Sequence, residues 1–317
     1  MRVLVTGAAG FIGSHVAEFL LQRGDDVEGL DNFNDYYDPA QKRANARTLA
    51  AYSRFALHEI DLRDEPEVGR VVSEGHFDAI VHLAAMAGVR YSIERAPLYT
   101  DVNIRGTVNV LEAARHAGVP HIVFASTSSV YGKTQHLPFQ EDDPLGEPLA
   151  PYPASKIAGE LFGYTYHNMF ALTFTAVRFF SVYGPRGRPD MMPYIITDSI
   201  VHDKTFRLYD AGEMWRDWTY VGDIVKGVVA AVDHPLGYQR INLGRGEPVR
   251  MADFVAMVEQ LVGKQAQMET PPAPASEPPI TYADITKART LLGYAPQVSV
   301  ADGMAHFREW YRSRMQG

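Results

Sequence analysis

The chain has 317 residues, a net charge of −8 at neutral pH, 46% hydrophobic and 21% charged residues, a balance ordinary for a folded globular protein with a sizeable core. The acidic surplus offers no general attraction to nucleic acid or to an anionic membrane, so any phosphorylated ligand must be held by a local site. The absence of cysteine excludes disulfides, thiolate metal sites and a cysteine nucleophile, and no other metal-ligand motif stands out.

The opening MRVLVTGAAG is too short an apolar stretch for a signal peptide. No later run approaches the ~20 apolar residues of a membrane span. The expectation is a cytoplasmic protein without an anchor of its own.

Taken in chain order, Arg2 to Thr6 reads as a strand, Gly13 to Arg23 as a helix, Asp26 to Leu30 and Phe55 to Ile60 as strands. A strand at Ala79 to Leu83 precedes a helix from about Leu98 to Ala117. A strand at His121 to Ser126, a helix from Tyr152 to Phe170 and a strand at Thr173 to Phe179 complete the regular part. This alternation predicts an α/β fold with right-handed crossovers and a doubly wound parallel sheet.

Beyond Ser181 the rhythm loosens, with helical patterns at Met192 to His202, Asp223 to Val232, Met251 to Val262 and Ala301 to Arg312. Residues 1–180 are therefore expected to form a dinucleotide-binding Rossmann domain and residues 181–317 a smaller α/β substrate lobe, with the chain free to cross back. The proline-rich stretch Pro271 to Pro279 lies between helical patterns and reads as a shaped surface loop. No internal repeat is visible.

Gly7, Gly10 and Gly13 fall directly after the first strand and directly before a helix. Glycine permits a tight turn and close backbone approach to a pyrophosphate, while the helix start supplies free N–H groups, here those of Phe11, Ile12 and Gly13. Asp31 ends the next strand, where a carboxylate suits both adenosine ribose hydroxyls and repels a 2′-phosphate. NAD is thus expected rather than NADP.

Tyr152 is the only tyrosine of 17 with a lysine four residues later. Residues i and i+4 share a helical face, so Lys156 can approach both the phenol and a cofactor ribose. A nearby cation would favour the phenolate, fitting Tyr152 for proton transfer.

With Gly-x-x-Gly-x-x-Gly, Asp61-Leu62 and His82-Leu83-Ala84-Ala85, the chain resembles the extended short-chain dehydrogenases/reductases. The resemblance implies that Asn32, Asp61 and Leu62 lie at the adenosine, Leu83, Ala84 and Ala85 at the ribose and diphosphate, with Asn103 and Ser126 supporting the cofactor edge. It also implies that Thr127 completes a Thr-Tyr-Lys triad. His82 is expected to be a buried strand-end histidine without an acid–base role.

Leu30 to Pro39, His82 to Ser92, Arg178 to Met191 and Thr281 to Ala288 resemble the UDP-glucuronate 4-epimerases over nearly the whole length. Family dehydratases carry Asp-Glu after the triad threonine, where this chain has Ser128 and Ser129, which disfavours dehydration. Ser128, Ser129 and Ser181, with Arg90 or Arg188, would hold a sugar carboxylate. The resemblance further implies that Arg216 binds diphosphate, Glu277 binds ribose hydroxyls, and Phe206 and Tyr209 line a uridine pocket. A homodimer through the helices at Leu98 to Ala117 and Tyr152 to Phe170 is the family expectation.

Three functions compete at this point: reversible 4-epimerisation of UDP-glucuronate on bound NAD, the same chemistry on UDP-glucose or with loss of carbon dioxide, and an NAD-binding module without turnover. The intact Tyr-Lys spacing argues against the last. Because one fold serves many reactions, the choice of substrate rests on the resemblance.

Overall fold

Val3, Leu4 and Val5 are completely inaccessible to solvent, and so are Ala79, Ile80 and Val81. Strands buried on both faces belong to the interior of a parallel sheet. The computed structural model, which describes residues 1–315, places them side by side at its centre.

The first half runs β1 (Arg2–Thr6), α1 (Phe11–Arg23), β2 (Asp26–Asp31), α2 (Pro39–Ala50), β3 (Phe55–Glu59), α3 (Glu65–Gly75) and β4 (Ala79–His82). It continues through α4 (Val89–Glu94), α5 (Ala96–Tyr99), a π-helical segment (Thr100–Arg105), α6 (Gly106–Ala117), β5 (His121–Thr127), α7 (Pro151–Phe170) and β6 (Thr173–Phe179).

The remainder contains β7 (Ser181–Tyr183), α8 (Met192–Val201), β8 (Thr205–Arg207), β9 (Trp215–Arg216), β10 (Trp218–Tyr220) and α9 (Val221–Asp233). After these come β11 (Tyr238–Leu243), β12 (Val249–Arg250), α10 (Met251–Val262), β13 (Gln267–Glu269), α11 (Thr286–Leu292) and α12 (Val300–Met315).

Seven parallel strands form the main sheet in the order β11-β6-β5-β4-β1-β2-β3. The fold is α/β and Rossmann-like, with small sheets in the second lobe. The chain reverses its direction of winding between β1 and β4, and that is where an open α/β sheet offers a crevice at its carboxyl edge. Val16 and Leu20 of α1 and Ile224 and Val228 of α9 cover one face, while Val68 and Val72 of α3 and Val110 and Leu111 of α6 cover the other. The second lobe has a separate core around Ile196, Trp218, Phe254, Met304 and Phe307.

α9 packs on α1 and β11 joins the main sheet beside β6, so a segment from the second half completes the first lobe. The sequence pattern misses α2, α3, α4, α11, β11 and the short strands β7, β8, β9, β10, β12 and β13. In α2 the inward face includes Gln41, Lys42 and Asn45, which hides its periodicity; Asp38 caps it by accepting from the Ala40 N–H, and Pro39 starts it.

The expected helix at 98–117 is interrupted by a π-helical segment over Thr100–Arg105. This insertion turns Asn103 into the protein. Its amide donates to the Met86 carbonyl at 2.9 Å and to Ser155 Oγ at 3.0 Å, while its Oδ1 accepts from Met86 N–H at 2.7 Å. A helix face is thereby tied to both the loop after β4 and the start of α7.

Candidate active site

The turn after β1 is built from backbone. The Gly7 N–H donates to Leu30 O at 2.6 Å and the Gly10 N–H to Gly7 O at 3.0 Å. A Cβ on Gly13 would stand 2.0 Å from Gly7 O, and one on Gly7, where φ is +71°, would stand 2.8 Å from Ala84 N. Only glycine fits these positions. Gly10 caps α1 without a side-chain acceptor, so the N–H groups of its first turn are left for a ligand.

Phe11, Ile12 and Gly13 line this cleft with Gly7, Gly10 and Asp31. Asp31 accepts from the Ala9 N–H at 3.0 Å and the Phe33 N–H at 2.9 Å. Two bonds leave carboxylate lone pairs for ribose hydroxyls. Burial pushes its carboxyl up, opposed by those backbone donors and by the Lys42 and Arg43 charges.

Asn32 donates to Asp61 Oδ2 at 2.8 Å, and Arg63 grips Asp61 at 2.9 and 2.8 Å, holding that carboxyl well below its usual range. Leu62, Leu83, Ala84, Ala85 and Ser126 complete the wall. Asn103 does not reach the cleft surface and acts from behind it, through the bonds described above.

His82 lies between Thr6 Oγ1 at 2.7 Å and Thr107 Oγ1 at 3.1 Å. Burial pushes it down to about 3, so it is neutral at working pH and has a structural place.

Tyr152 and Lys156 stand one turn apart at the start of α7, both facing the cleft. The Tyr152 N–H donates to Ser92 Oγ at 3.1 Å, fixing the helix entrance. The Thr127 hydroxyl borders the phenol and helps hold it down, while Thr127 Oγ1 accepts from the Ser129 N–H at 3.2 Å.

The electrostatics correct one expectation. Burial pushes the Tyr152 phenol up rather than down, and Arg188, followed by the Thr127 hydroxyl, opposes it. Lys156, buried with its Nζ 4.9 Å over the Phe124 ring, is itself pushed down to about 7. Burial disfavours both charges, so the lysine's proximity does not by itself bring the phenol down.

A second cleft of about 650 Å³ opens from the same edge. Thr127, Ser128, Ser129 and Ser181 line it beside Tyr152, with Arg90, Arg188, Arg216 and Glu277 around them. Arg216 Nη2 donates to Glu277 Oε2 at 3.0 Å, and Arg90 Nη2 to Glu277 Oε1 at 2.9 Å. These two guanidiniums could exchange a carboxylate for phosphate oxygens.

Phe206 and Tyr209 fall outside that lining. Phe206 packs into the second-lobe core, and the half-buried Tyr209 ring lies 4.8 Å from Arg90 Cζ. Tyr209 thus stands behind Arg90 at the edge of the cleft, and Phe206 within the adjoining core. The sequence reading passed over Tyr36, Asp190 and Ser92, whose closeness to the reacting edge has no local signature.

The chain matches the GDP-mannose 4,6 dehydratase family over residues 4–307. It belongs to the NAD-dependent epimerase/dehydratase family. A relative named UDP-glucuronate 4-epimerase from Thermodesulfobacterium geofontis is 40% identical over 314 residues, covering 99% of this chain and 97% of that one.

Among solved structures, UDP-glucuronic acid 4-epimerase from Bacillus cereus, in complex with UDP-glucuronic acid and NAD, is 35% identical with a TM-score of 0.93. That match covers 99% of this chain and all of the other. The dTDP-glucose 4,6-dehydratase DesIV of Streptomyces venezuelae, with NAD bound, reaches the same TM-score at 31% identity, covering 100% of this chain and 98% of that one. Shape alone thus does not separate epimerases from dehydratases of the family; the lining of the second cleft must.

Proposed function

We propose that this epimerase/dehydratase-family chain interconverts UDP-glucuronate and UDP-galacturonate by inverting C4 through a transient 4-keto sugar, with NAD in the first cleft. The observation that carries the reading is the hydroxyl floor: Thr127, Ser128, Ser129 and Ser181 border Tyr152, with no carboxylate beside the triad threonine. Hydroxyls can bind a sugar carboxylate, whereas elimination of water would call for an added acid and base.

The cradle fits the cofactor. The free N–H groups of Phe11, Ile12 and Gly13 suit a diphosphate, and Asp31 suits ribose hydroxyls. When bound, NAD supplies the acceptor and donor of hydride. Tyr152 takes the proton from the C4 hydroxyl and later returns it, and Thr127 orients the reacting oxygen. Lys156 lies where it can hold the nicotinamide ribose, and its neutral form near pH 7 can accept as well as donate.

Ser128, Ser129 and Ser181 hold the carboxylate, so that carbon dioxide loss from the β-keto acid is poorly assisted. Arg216 and Arg90 leave Glu277 for the diphosphate, freeing Glu277 for ribose hydroxyls. The sugar can then swing about the diphosphate and present its other face.

Incubating the protein with UDP-glucuronate and NAD, and resolving products by NMR, tests the assignment. UDP-galacturonate is expected. A nucleotide-linked pentose as sole product, or turnover of UDP-glucose alone, would replace it.

A second copy of the chain is the proposed partner. Leu161, Tyr164, Met169 and Phe170 of α7 are 58, 52, 63 and 45% exposed, an apolar face next to α6. Leu161→Glu should convert a dimer to monomers in sedimentation; a monomeric parent protein removes this proposal. Among the described residues, no helix is long and apolar enough to cross a membrane, and no cluster of three potential metal ligands is present.

A further inference from the structure

Arg188 lines both clefts together with Tyr152 and Tyr36. Its guanidinium is not free. Nε and Nη2 each donate to Asp190, to Oδ1 and Oδ2, at 2.9 Å, and the Tyr36 hydroxyl donates to the same Oδ2 at 2.9 Å. Tyr36 follows β2, whereas Asp190 and Arg188 come from the loop after β7.

The third participant is Gly88, in the loop after β4. A Cβ there would stand 2.2 Å from the Tyr36 hydroxyl, and its φ of +93° already favours glycine. The backbone therefore leaves room for this phenol to reach Asp190. The arginine loop is also pinned to the first lobe: His15 bonds Pro185 O at 2.9 Å, Gln41 donates to Arg186 O at 2.8 Å, and Arg186 pairs with Glu18 at 2.7 Å.

We infer that Asp190, oriented by Tyr36, is a positioning residue that sets how much positive charge Arg188 presents to the Tyr152 phenol. The inference rests on the reading of Tyr152 as the proton-transfer group. A base that must also return its proton works best when neither form is strongly preferred. Burial already pushes the phenol up, so the pairing of Arg188 with Asp190 limits how far the guanidinium brings it back toward the working range.

The other groups facing Tyr152 are the Thr127 hydroxyl from β5, Tyr99 from α5 with its ring 6.2 Å away, and Lys156 on its own helix. Around Arg188 stand Asp190, Tyr36, Tyr37, Tyr99, Lys42 and Tyr152. Apart from Arg188, the cations in these two sets are Lys42, turned toward Asn34 O at 2.8 Å, and Lys156, so Asp190 is the carboxylate that directly balances the arginine.

The test uses the full chain loaded with NAD and labelled with ¹³Cζ-tyrosine, the Tyr152 resonance being assigned by its loss in Tyr152→Phe. In Asp190→Asn, Tyr152 should titrate about one pH unit lower. The acidic limb of kcat/KM should move the same way. Tyr36→Phe, a milder change, should shift both in the same direction by less, and Arg188→Met should shift them upward.

A Tyr152 titration that stays in place or rises in Asp190→Asn, while the rate falls, assigns Asp190 a purely structural role and overturns the inference. If UDP-glucuronate is not a substrate, the proposed reaction fails, but the tyrosine resonance still decides the charge coupling.

Discussion

The cofactor cradle and the reacting edge lie in adjoining clefts but are built by opposite means. The cradle is nearly all backbone: one contiguous turn, glycines that leave no room for a side chain, and a helix start with open N–H groups. At the reacting edge, side chains from β5, α7, the loop after β2 and the loop after β7 meet where two clefts adjoin. Backbone geometry is fixed by steric exclusion and tolerates no substitution. Side-chain chemistry is set by charge balance and can be tuned one group at a time.

The largest expected effect probes the reacting edge. Tyr152→Phe should lower kcat by ~10²–10⁴-fold while leaving NAD binding and the melting temperature nearly unchanged. A variant with normal turnover would remove Tyr152 from the chemistry. Gly13→Ala should do the reverse, because its Cβ would meet Gly7 O at 2.0 Å and force the turn open. NAD affinity, followed by nicotinamide fluorescence or calorimetry, should drop on the order of 100-fold, with any loss of turnover recovered at saturating NAD. Unchanged affinity would end the contrast between the two regions.

A smaller effect concerns stability and pH. The folded protein holds Lys156 down to about 7, from an ordinary 10.5, by burial. Between those values the unfolded chain binds the proton more readily, so this group's contribution to stability falls as pH drops from about 10.5 to about 7 and then levels off. Lys156→Met should therefore raise the melting temperature of the NAD-free protein near pH 7, with the margin shrinking toward pH 10. A margin independent of pH would show that the lysine is not destabilised by burial.

Much of the first lobe was legible because strands buried on both faces leave apolar runs, and glycines at a strand-to-helix turn leave a spaced signature. Tyr152 and Lys156 were legible because one helical turn joins them. Leu30 to Asp31 showed where the second strand ends, and β2 closes at Asp31. By contrast, α2 hid behind the buried polar residues Gln41, Lys42 and Asn45. Phe206 and Tyr209 came from resemblance alone, and no local spacing shows that Phe206 packs into a core and Tyr209 stacks on Arg90.

Local spacing, then, determined the parallel sheet, the phosphate-binding turn and the Tyr-Lys pair, since each depends on residues within a few positions of one another. Tertiary structure alone decided that β11 returns to the first sheet, that Arg188 comes to oppose the burial of the Tyr152 phenol, and that Tyr36 reaches Asp190 across 154 residues. Electrostatic coupling depends on distance through space and on the exclusion of water, and neither leaves a period in the chain.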